Sequence, residues 1–492
     1  MRSPSLDQAA QNLDLHEDRF FDADPTIRRI ARSIFEETRD LPIVSPHGHV
    51  DPEPFAQNTA FPEPAALMIL PDHYIVRLLY SLGIRLESLG LQPLRGHNVE
   101  KDPRKIWQLL GDHFHYFRGT PSAIWLNYQL HQIFGVRSKL DGNSALTIYD
   151  EIREKLESPE FLPRALFDRF NMEVLATTDA ATDPLANHAA IRSSGWRARV
   201  IPTFRPDALL QIASRTWPSE LEKLGATCGS QVHDYAEYLR ALQERRSFFR
   251  SMGATATDHG VEEPYTERLP EDAAARLFEA ARSGRATADD QRTFEAHMLM
   301  EMARMSCEDG LVMQLHAGAV RDHNRLLFDS FGPNVGGDIP RATEFTKNLR
   351  ALLNAHGNDP RLRLILFTLD ESTYARELAP LAGHYPALRL GPAWWFHDSI
   401  EGMTRYRERT TETAGIYNTA GFNDDARSLC SIPARHDLSR RVDANWLAGL
   451  VARHIIDDAD ARSMARALAY NLASDAYRLK QSDDVRQSSP QS

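Results

Sequence analysis

The sequence predicts an α/β fold: a TIM-like (β/α)8 barrel with a helical insertion after its first strand. Three observations carry that expectation. Short apolar runs of β type recur along the chain, most of them separated by stretches of helical period, and such alternation marks βα units with a parallel sheet. The runs number eight, the count that closes a barrel. The length, 492 residues, exceeds an ordinary small domain yet suits one barrel whose loops carry insertions.

In chain order the runs are 42–45, 173–177, 198–203, 253–257, 311–315, 362–368, 387–390 and 417–422. The fourth, "GATAT", and the eighth, "YNTAGF", are poor in β-branched aliphatics and are admitted partly because eight strands close the ring. About 125 residues of mainly helical pattern separate the first two runs, too many for one crossover helix, so they read as an inserted subdomain. Residues 207–251 also read as several helices, and the mixed charges of 231–250 suggest a solvated face. The expected organisation is a helical lead-in over 1–40, the first strand and its motif over 41–52, the insertion over 53–170, the rest of the barrel over 171–480 and a flexible tail over 481–492.

Hydrophobic residues make up 42% and charged residues 25%, which places the chain among globular proteins and not among disordered or fibrous ones. No stretch approaches the ~20 apolar residues of a membrane helix, and the first residues lack the apolar core of a secretory signal. A cytoplasmic protein with no membrane partner is expected. Cys228, Cys307 and Cys430 are scattered and odd in number, so neither a disulfide framework nor a CxxC metal site is expected. A net charge of −11 argues against nucleic acid as a partner, because phosphate binding needs clustered Lys and Arg. The same charge requires that a site for an anionic small molecule be made positive locally, by particular arginines. The oligomeric state, a homo-oligomer included, stays open.

In a β/α barrel the site lies at the C-terminal ends of the strands. The first run ends in "SPHGHVDP", which sets His47 and His49 on one side of an extended segment, where alternate residues share a face. Two imidazoles so placed suit one divalent metal, although an isolated HxH is more often a pair of surface histidines at a turn. His316 follows the fifth run at an equivalent height, and Asp424 or Asp425 follows the eighth. Imidazole nitrogens with a carboxylate oxygen are ligands that suit zinc, manganese and other first-row ions, and an open position admits a substrate oxygen.

Arg205, after the third run, could clamp a carboxylate bidentately, a geometry that lysine cannot copy, or could pair structurally with Asp207. Asp258 and His259 follow the fourth run. Trp394 and Trp395 follow the seventh, either as a pocket wall or as packing between barrel and helix. In "PDHYIVRLLYSLGI" of the insertion, His73 and Tyr74 point about 100° apart on a helix, and Arg77 shares the face of His73. These three could descend over the barrel mouth as acid/base or hydroxyl-binding groups; the alternative is a capped helix with an exposed histidine.

Beyond these residues the chain resembles the uronate (glucuronate) isomerase family, a divergent branch of the metal-dependent amidohydrolase superfamily. The resemblance runs through "PHGHVDP", "GTPSAIWLNYQLHQIFGV", "TTDAATDPLANH", "VIPTFRPD", "MQLHAGAVRDHN", "GPAWWFHDSIEGM", "ARSLCSIPARHDLSRR" and "LAYNLASDAY", and so spans nearly the whole chain. It implies a barrel of the amidohydrolase type that interconverts D-glucuronate with D-fructuronate, and D-galacturonate with D-tagaturonate, in hexuronate catabolism. It also implies one divalent metal, zinc first, with manganese, iron and cobalt as alternatives, held by His47, His49 and Asp425. Asp425 is chosen over Asp424 because Asp425-Ala426-Arg427 matches the family's Asp-x-Arg. The family's usual Trp-Thr-His is replaced here by Trp125-Leu126-Asn127, so that histidine is missing.

Moving a proton from C2 to C1 of an aldose requires charge stabilisation on the oxygens and a positioned base. The expected arrangement has Arg205 on the C6 carboxylate, with His73, Tyr74 and Arg427 around the C1–C2 edge. One of these three, or Asp425, is the base, and His316 is a further ligand or a supporting donor. A metal-dependent hydrolase and an isomerase or epimerase of another sugar acid are the rival enzymes; a catalytically dead binding protein is the rival of another class.

Overall fold

The computed structural model describes residues 12–96 and 98–480. The tail expected at 481–492 and residues 1–11 of the expected lead-in lie outside them. Parallel strands succeed one another in chain order: Ile43–Ser45, Met172–Ala176, Arg199–Ile201, Ala256–Val261, Val312–Ala317, Leu364–Phe367 and Leu388–Leu390. Each pairs with the next except the third, which reaches the fourth only through its continuation. The second and third continue past a break as Asp179–Ala180 and Phe204–Arg205, and Phe204 pairs with Thr257 of the fourth. Helices cross back between them, giving the α/β barrel that the alternation of runs predicts.

The eighth run departs from expectation. Ile416–Asn418 is a 3-10 turn, and strand pairing is reduced to a parallel bridge between Thr419 and Leu390. Its lack of β-branched residues accounts for this weakness. The ring is nonetheless joined here, because Ala420 N–H donates to Leu390 at 2.7 Å and His49 N–H donates to the Ala426 carbonyl at 2.8 Å. The fourth strand is displaced along the chain from the expected 253–257, so that Asp258 and His259 lie within it and not after it. A charged residue is tolerated there because one face of the strand looks into a polar barrel mouth.

Side chains alternate between two cores, as the pleat requires. Val44, Val174, Ile201, Ala256, Val312 and Ile365 form the barrel interior with Ala473 and Tyr477. Residues such as Met313, Leu315, Leu364 and Leu388 face outward onto Tyr238, Met302 and Leu378 of the surrounding helices. The stretch between the first two strands is a set of short helices around Trp107, Phe134 and Phe167. Their starts are written locally: Asp72, Asp102 and Thr120 cap first-turn N–H groups, and proline opens the helices Pro103–His113 and Pro121–Tyr128.

The charged segment 231–250 is not simply a solvated face. It lies largely within the helix Tyr235–Ser251, where Arg246 is buried against Asp309 and Arg245 donates to the carbonyls of Ala181 and Asp183. No disulfide joins the three cysteines, and Cys307 and Cys430 are buried. No helix among the described residues is long and apolar enough to cross a membrane.

The helix Ile400–Ala414 is tied to the long helix Ser431–Ala452 by a buried bidentate pair, Arg407 to Asp443 at 2.8 and 3.3 Å. Arg407→Met is expected to destabilise the fold by about 3–5 kcal/mol, because Asp443 is then left charged and unpaired. Adding Asp443→Leu should recover most of the loss. Denaturant midpoints check this, and equal midpoints for the single and double variants would refute the orphaned-charge explanation.

Candidate active site

The mouth of the barrel holds a cavity of about 560 Å³ whose floor is made by strand ends. Its deepest polar group comes from opposite ends of the chain. His47 and His49 leave the first strand, and Asp425 reaches them from the loop after the weak eighth run, in a left-handed backbone conformation with φ of 44° that aspartate tolerates better than branched residues. Gly48 lets the two segments meet: a Cβ there would come within 3.2 Å of the Ala426 carbonyl oxygen.

His49 Nε2 and His47 Nε2 stand 3.2 and 3.5 Å from Asp425 Oδ1. Trp394 Nε1 donates to the other carboxylate oxygen at 2.8 Å. Asp425 Oδ1 is buried yet has no hydrogen-bond partner. Two imidazole nitrogens and a carboxylate oxygen, all within 4.8 Å of one another, fit a divalent cation. Burial pushes the Asp425 carboxyl up, but His49, His47 and His316 outweigh it and hold the group far below the ordinary range. Burial takes His47 down to about 3, so it is the neutral imidazole that a metal requires.

His316 joins the same cluster from the fifth strand. Its ring stacks on His47 at 4.6 Å, and its Nδ1 lies 2.6 Å from Asp258 Oδ1. With the proton assigned to Nδ1, the buried and unpartnered Nε2 presents a lone pair. His47, Asp258 and His316 thus form a second group of metal-ligand type that shares His47 with the first. Asp258 is also bound by Arg205 Nη1 at 3.2 Å, while Arg205 Nε donates to Asp207 at 2.8 Å. Burial opposes the Arg205 charge, but these two carboxylates more than offset it and raise its pKa. Arg205 therefore lines the cavity and makes the structural pair with Asp207 at the same time.

Arg427 differs. It lines the cavity with no hydrogen bond or ion pair among the described residues, and burial lowers its pKa although Asp425 is near. His73, from the helix His73–Ser81, faces the same space and is held down to about 3 by burial and then by Arg427, so it is neutral at pH 7. Tyr74 reaches the wall with its hydroxyl on Asp398, and Trp394 and Trp395 form another part of that wall.

The structure does not bring Arg77 or His259 to the cavity. Arg77 lies over the Phe396 ring, 4.6 Å from its centre. His259 points to the face opposite Asp258 because adjacent strand residues alternate; it is buried on Thr257 Oγ1 at 3.0 Å. Asp424 also turns away, to His436 Nε2 at 3.1 Å, which leaves Asp425 as the carboxylate at the mouth. Residues not singled out from the sequence also line the site: Asp72, Arg321, Asp398 and Arg435. One signal was available for Arg435. The segment 435–443 carries charges on every side of a helix, more than one exposed face can hold, so some had to be buried.

A family model described as glucuronate isomerase matches residues 18–477. A uronate isomerase of Rhizorhabdus wittichii is 53% identical over 470 residues, covering 96% of this chain and 100% of the relative. One of Nostoc punctiforme is 52% identical, covering 94% and 98%. The crystal structure of glucuronate isomerase from Caulobacter crescentus, 49% identical, matches with a TM-score of 0.93 over 95% of this chain and 98% of its own. That of uronate isomerase from Thermotoga maritima, 29% identical, matches with 0.88 over 94% and 99%. The barrel, its mouth and these matches over almost the entire length agree: the chain belongs to the glucuronate (uronate) isomerase family.

Proposed function

We propose that this chain interconverts D-glucuronate with D-fructuronate, and D-galacturonate with D-tagaturonate, by carrying a proton between C2 and C1 at the barrel mouth. One observation carries the reading: in a member of this family, a metal donor set and a half-buried guanidinium, Arg427, that has no ion pair among the described residues, face one cavity. A sugar acid offers the hydroxyl oxygens and the anion that such a site attracts. His47, His49 and Asp425 would hold one divalent metal, zinc before manganese, iron or cobalt, which supplies a Lewis-acidic positive charge to substrate oxygens.

The remaining roles belong to the chain. Arg205 presents its guanidinium toward the C6 carboxylate, although Asp207 and Asp258 already share its charge. Arg427 and His73 donate to oxygens of the C1–C2 edge and stabilise the negative charge that develops there. The carbon-bound proton is carried by one of Asp425, His73, Tyr74 and Arg427. His316 either completes the ligand set or holds Asp258 in place. The indoles of Trp394 and Trp395 keep water from the reacting edge.

Purified protein is expected to carry about one divalent metal per chain, the usual stoichiometry of a three-ligand site, and His47→Ala or Asp425→Asn to lower metal content and turnover together. Full activity in a chelated sample shown by elemental analysis to be metal-free would exclude the metal role.

Substrate deuterated at C2 should yield ketose with part of the label at C1, since one shielded group carries the proton. Proton NMR of the product checks this. Absence of ketose from both glucuronate and galacturonate would refute the function.

The arginines should separate. Arg427→Met orphans no carboxylate, so it should keep the wild-type melting temperature while kcat/KM for glucuronate falls about 30-fold or more. Arg205→Met strands Asp207 and Asp258 and should lower the melting temperature as well. A stable Arg205→Met variant with unchanged kcat/KM would remove Arg205 from substrate binding.

A further inference from the structure

The Tyr74 hydroxyl has two protein partners at the cavity wall. It donates to Asp398 Oδ1 at 2.6 Å and accepts the Phe396 N–H at 2.7 Å. Asp398 Oδ2 is held by Arg435 Nη1 at 2.9 Å. Arg435 is itself fixed, by the Asp424 carbonyl at 3.2 Å and by the Trp125 ring, whose centre lies 3.6 Å from the guanidinium carbon. Asp398 and Arg435 are buried, at 8% and 6% exposure, and both border the cavity with Tyr74.

A cross-link between insertion and barrel would explain a contact, but the direction of the proton has a further consequence. An ionised carboxylate accepts only, so the phenol proton must point to Asp398. Of the two lone pairs on Tyr74 Oη, one takes the Phe396 N–H and the other stays free. We propose that Asp398, locked by Arg435, is a positioning residue that aims the Tyr74 proton away from the cavity and leaves the phenol oxygen to accept a hydroxyl hydrogen of the sugar acid. This rests on the isomerase reading given above.

The chemistry balances. An aldose becomes a ketose only if a hydroxyl hydrogen leaves O2 and a hydrogen arrives at O1, alongside the carbon-bound transfer. The O2–H bond breaks as its proton passes to Tyr74 Oη, while the proton already on Tyr74 passes to Asp398 Oδ1. The bonding pair of the departing C2 hydrogen forms C1=C2 and pushes the C1 carbonyl π pair onto O1; the pair left on O2 then forms the C2 carbonyl as the C1=C2 pair takes the carbon-bound proton at C1. Reverse passage through the same two groups delivers a proton to O1 and restores the carboxylate. No oxidant or reductant enters. Burial, and then the charge of Asp398, also holds the Tyr74 pKa well above its ordinary value, so the phenol keeps its proton until Asp398 takes it. The charged groups around it are Asp398, Arg435 and Asp72, which caps its helix; His73 adjoins, and the rings of Trp125 and Phe396 complete the surround.

The experiment compares wild type, Asp398→Asn and Tyr74→Phe as full-length, metal-loaded protein of verified melting temperature. Tyrosinate absorbance is titrated with and without Tyr74, and kcat and KM are measured on glucuronate. In Asp398→Asn the Tyr74 pKa should fall and kcat should drop about tenfold or more with KM nearly unchanged, since the lost charge–hydrogen bond acts on a transfer and not on binding. Tyr74→Phe, which leaves the Asp398–Arg435 pair intact, should lose about 100-fold or more in kcat. A folded Asp398→Asn protein with an unmoved Tyr74 titration or wild-type kcat overturns the proposal. If that variant does not fold, wild-type kcat in Tyr74→Phe overturns it alone. Absence of turnover in the wild type would count against the isomerase reading, whereas the titration difference needs no substrate and decides the coupling of Tyr74 to Asp398 separately.

Discussion

The backbone hydrogen bond from His49 to Ala426 is the constraint on which the site depends. It joins the end of the first strand to the loop after the eighth run, where regular strand pairing has almost disappeared. Only with that seam closed do His47, His49 and Asp425 share a space small enough for one ion. Glycine at position 48 is part of the same constraint, because a side chain would press on the carbonyl that accepts the bond. The weakness of the eighth strand has a use here. A regular strand could not present Asp425 in its left-handed conformation, with one oxygen toward the histidines and the other on Trp394.

Charge at the mouth is organised by pairing. The chain is strongly negative overall, yet Arg205, Arg321, Arg427 and Arg435 stand round the cavity. Arg205, Arg321 and Arg435 are committed to Asp207 and Asp258, to Asp338, and to Asp398 respectively. Such pairs cost desolvation and add little net stability, but they hold side chains in fixed geometry. Arg427 is the contrast, a half-buried guanidinium with no hydrogen bond or ion pair to a carboxylate among the described residues, although the charge of Asp425 is near. An uncommitted cation beside committed ones leaves positive charge at the mouth despite the negative global field.

The helix Ser431–Ala452 carries much of this order to the barrel. Arg435 reaches the cavity wall, His436 draws Asp424 aside, and Arg440 donates to the carbonyls of Arg39, Leu41 and Pro42 just ahead of the first strand. One buried, highly charged helix thus registers the beginning of the first strand, the loop that bears Asp425 and the wall that bears Tyr74.

The sequence by itself determined what depends on local period and local chemistry. The alternation of apolar runs and helical stretches was enough for a barrel, and caps such as Asp72 and Asp102 mark helix starts in the insertion. The HxH motif was legible because alternate residues of an extended segment share a face, whereas the choice of Asp425 over Asp424 came from the resemblance to the family and not from spacing. Tertiary structure decided whatever depends on partners distant in the chain. It moved the fourth strand onto Asp258, so that strand parity sent Asp258 inward and His259 outward. It committed Arg205 to two carboxylates, left Arg77 stacked on Phe396, and brought Asp398 and Arg435 to Tyr74 from separate segments. No local spacing records such pairings, because burial strengthens charge interactions only after the fold has excluded water and set the distances between groups.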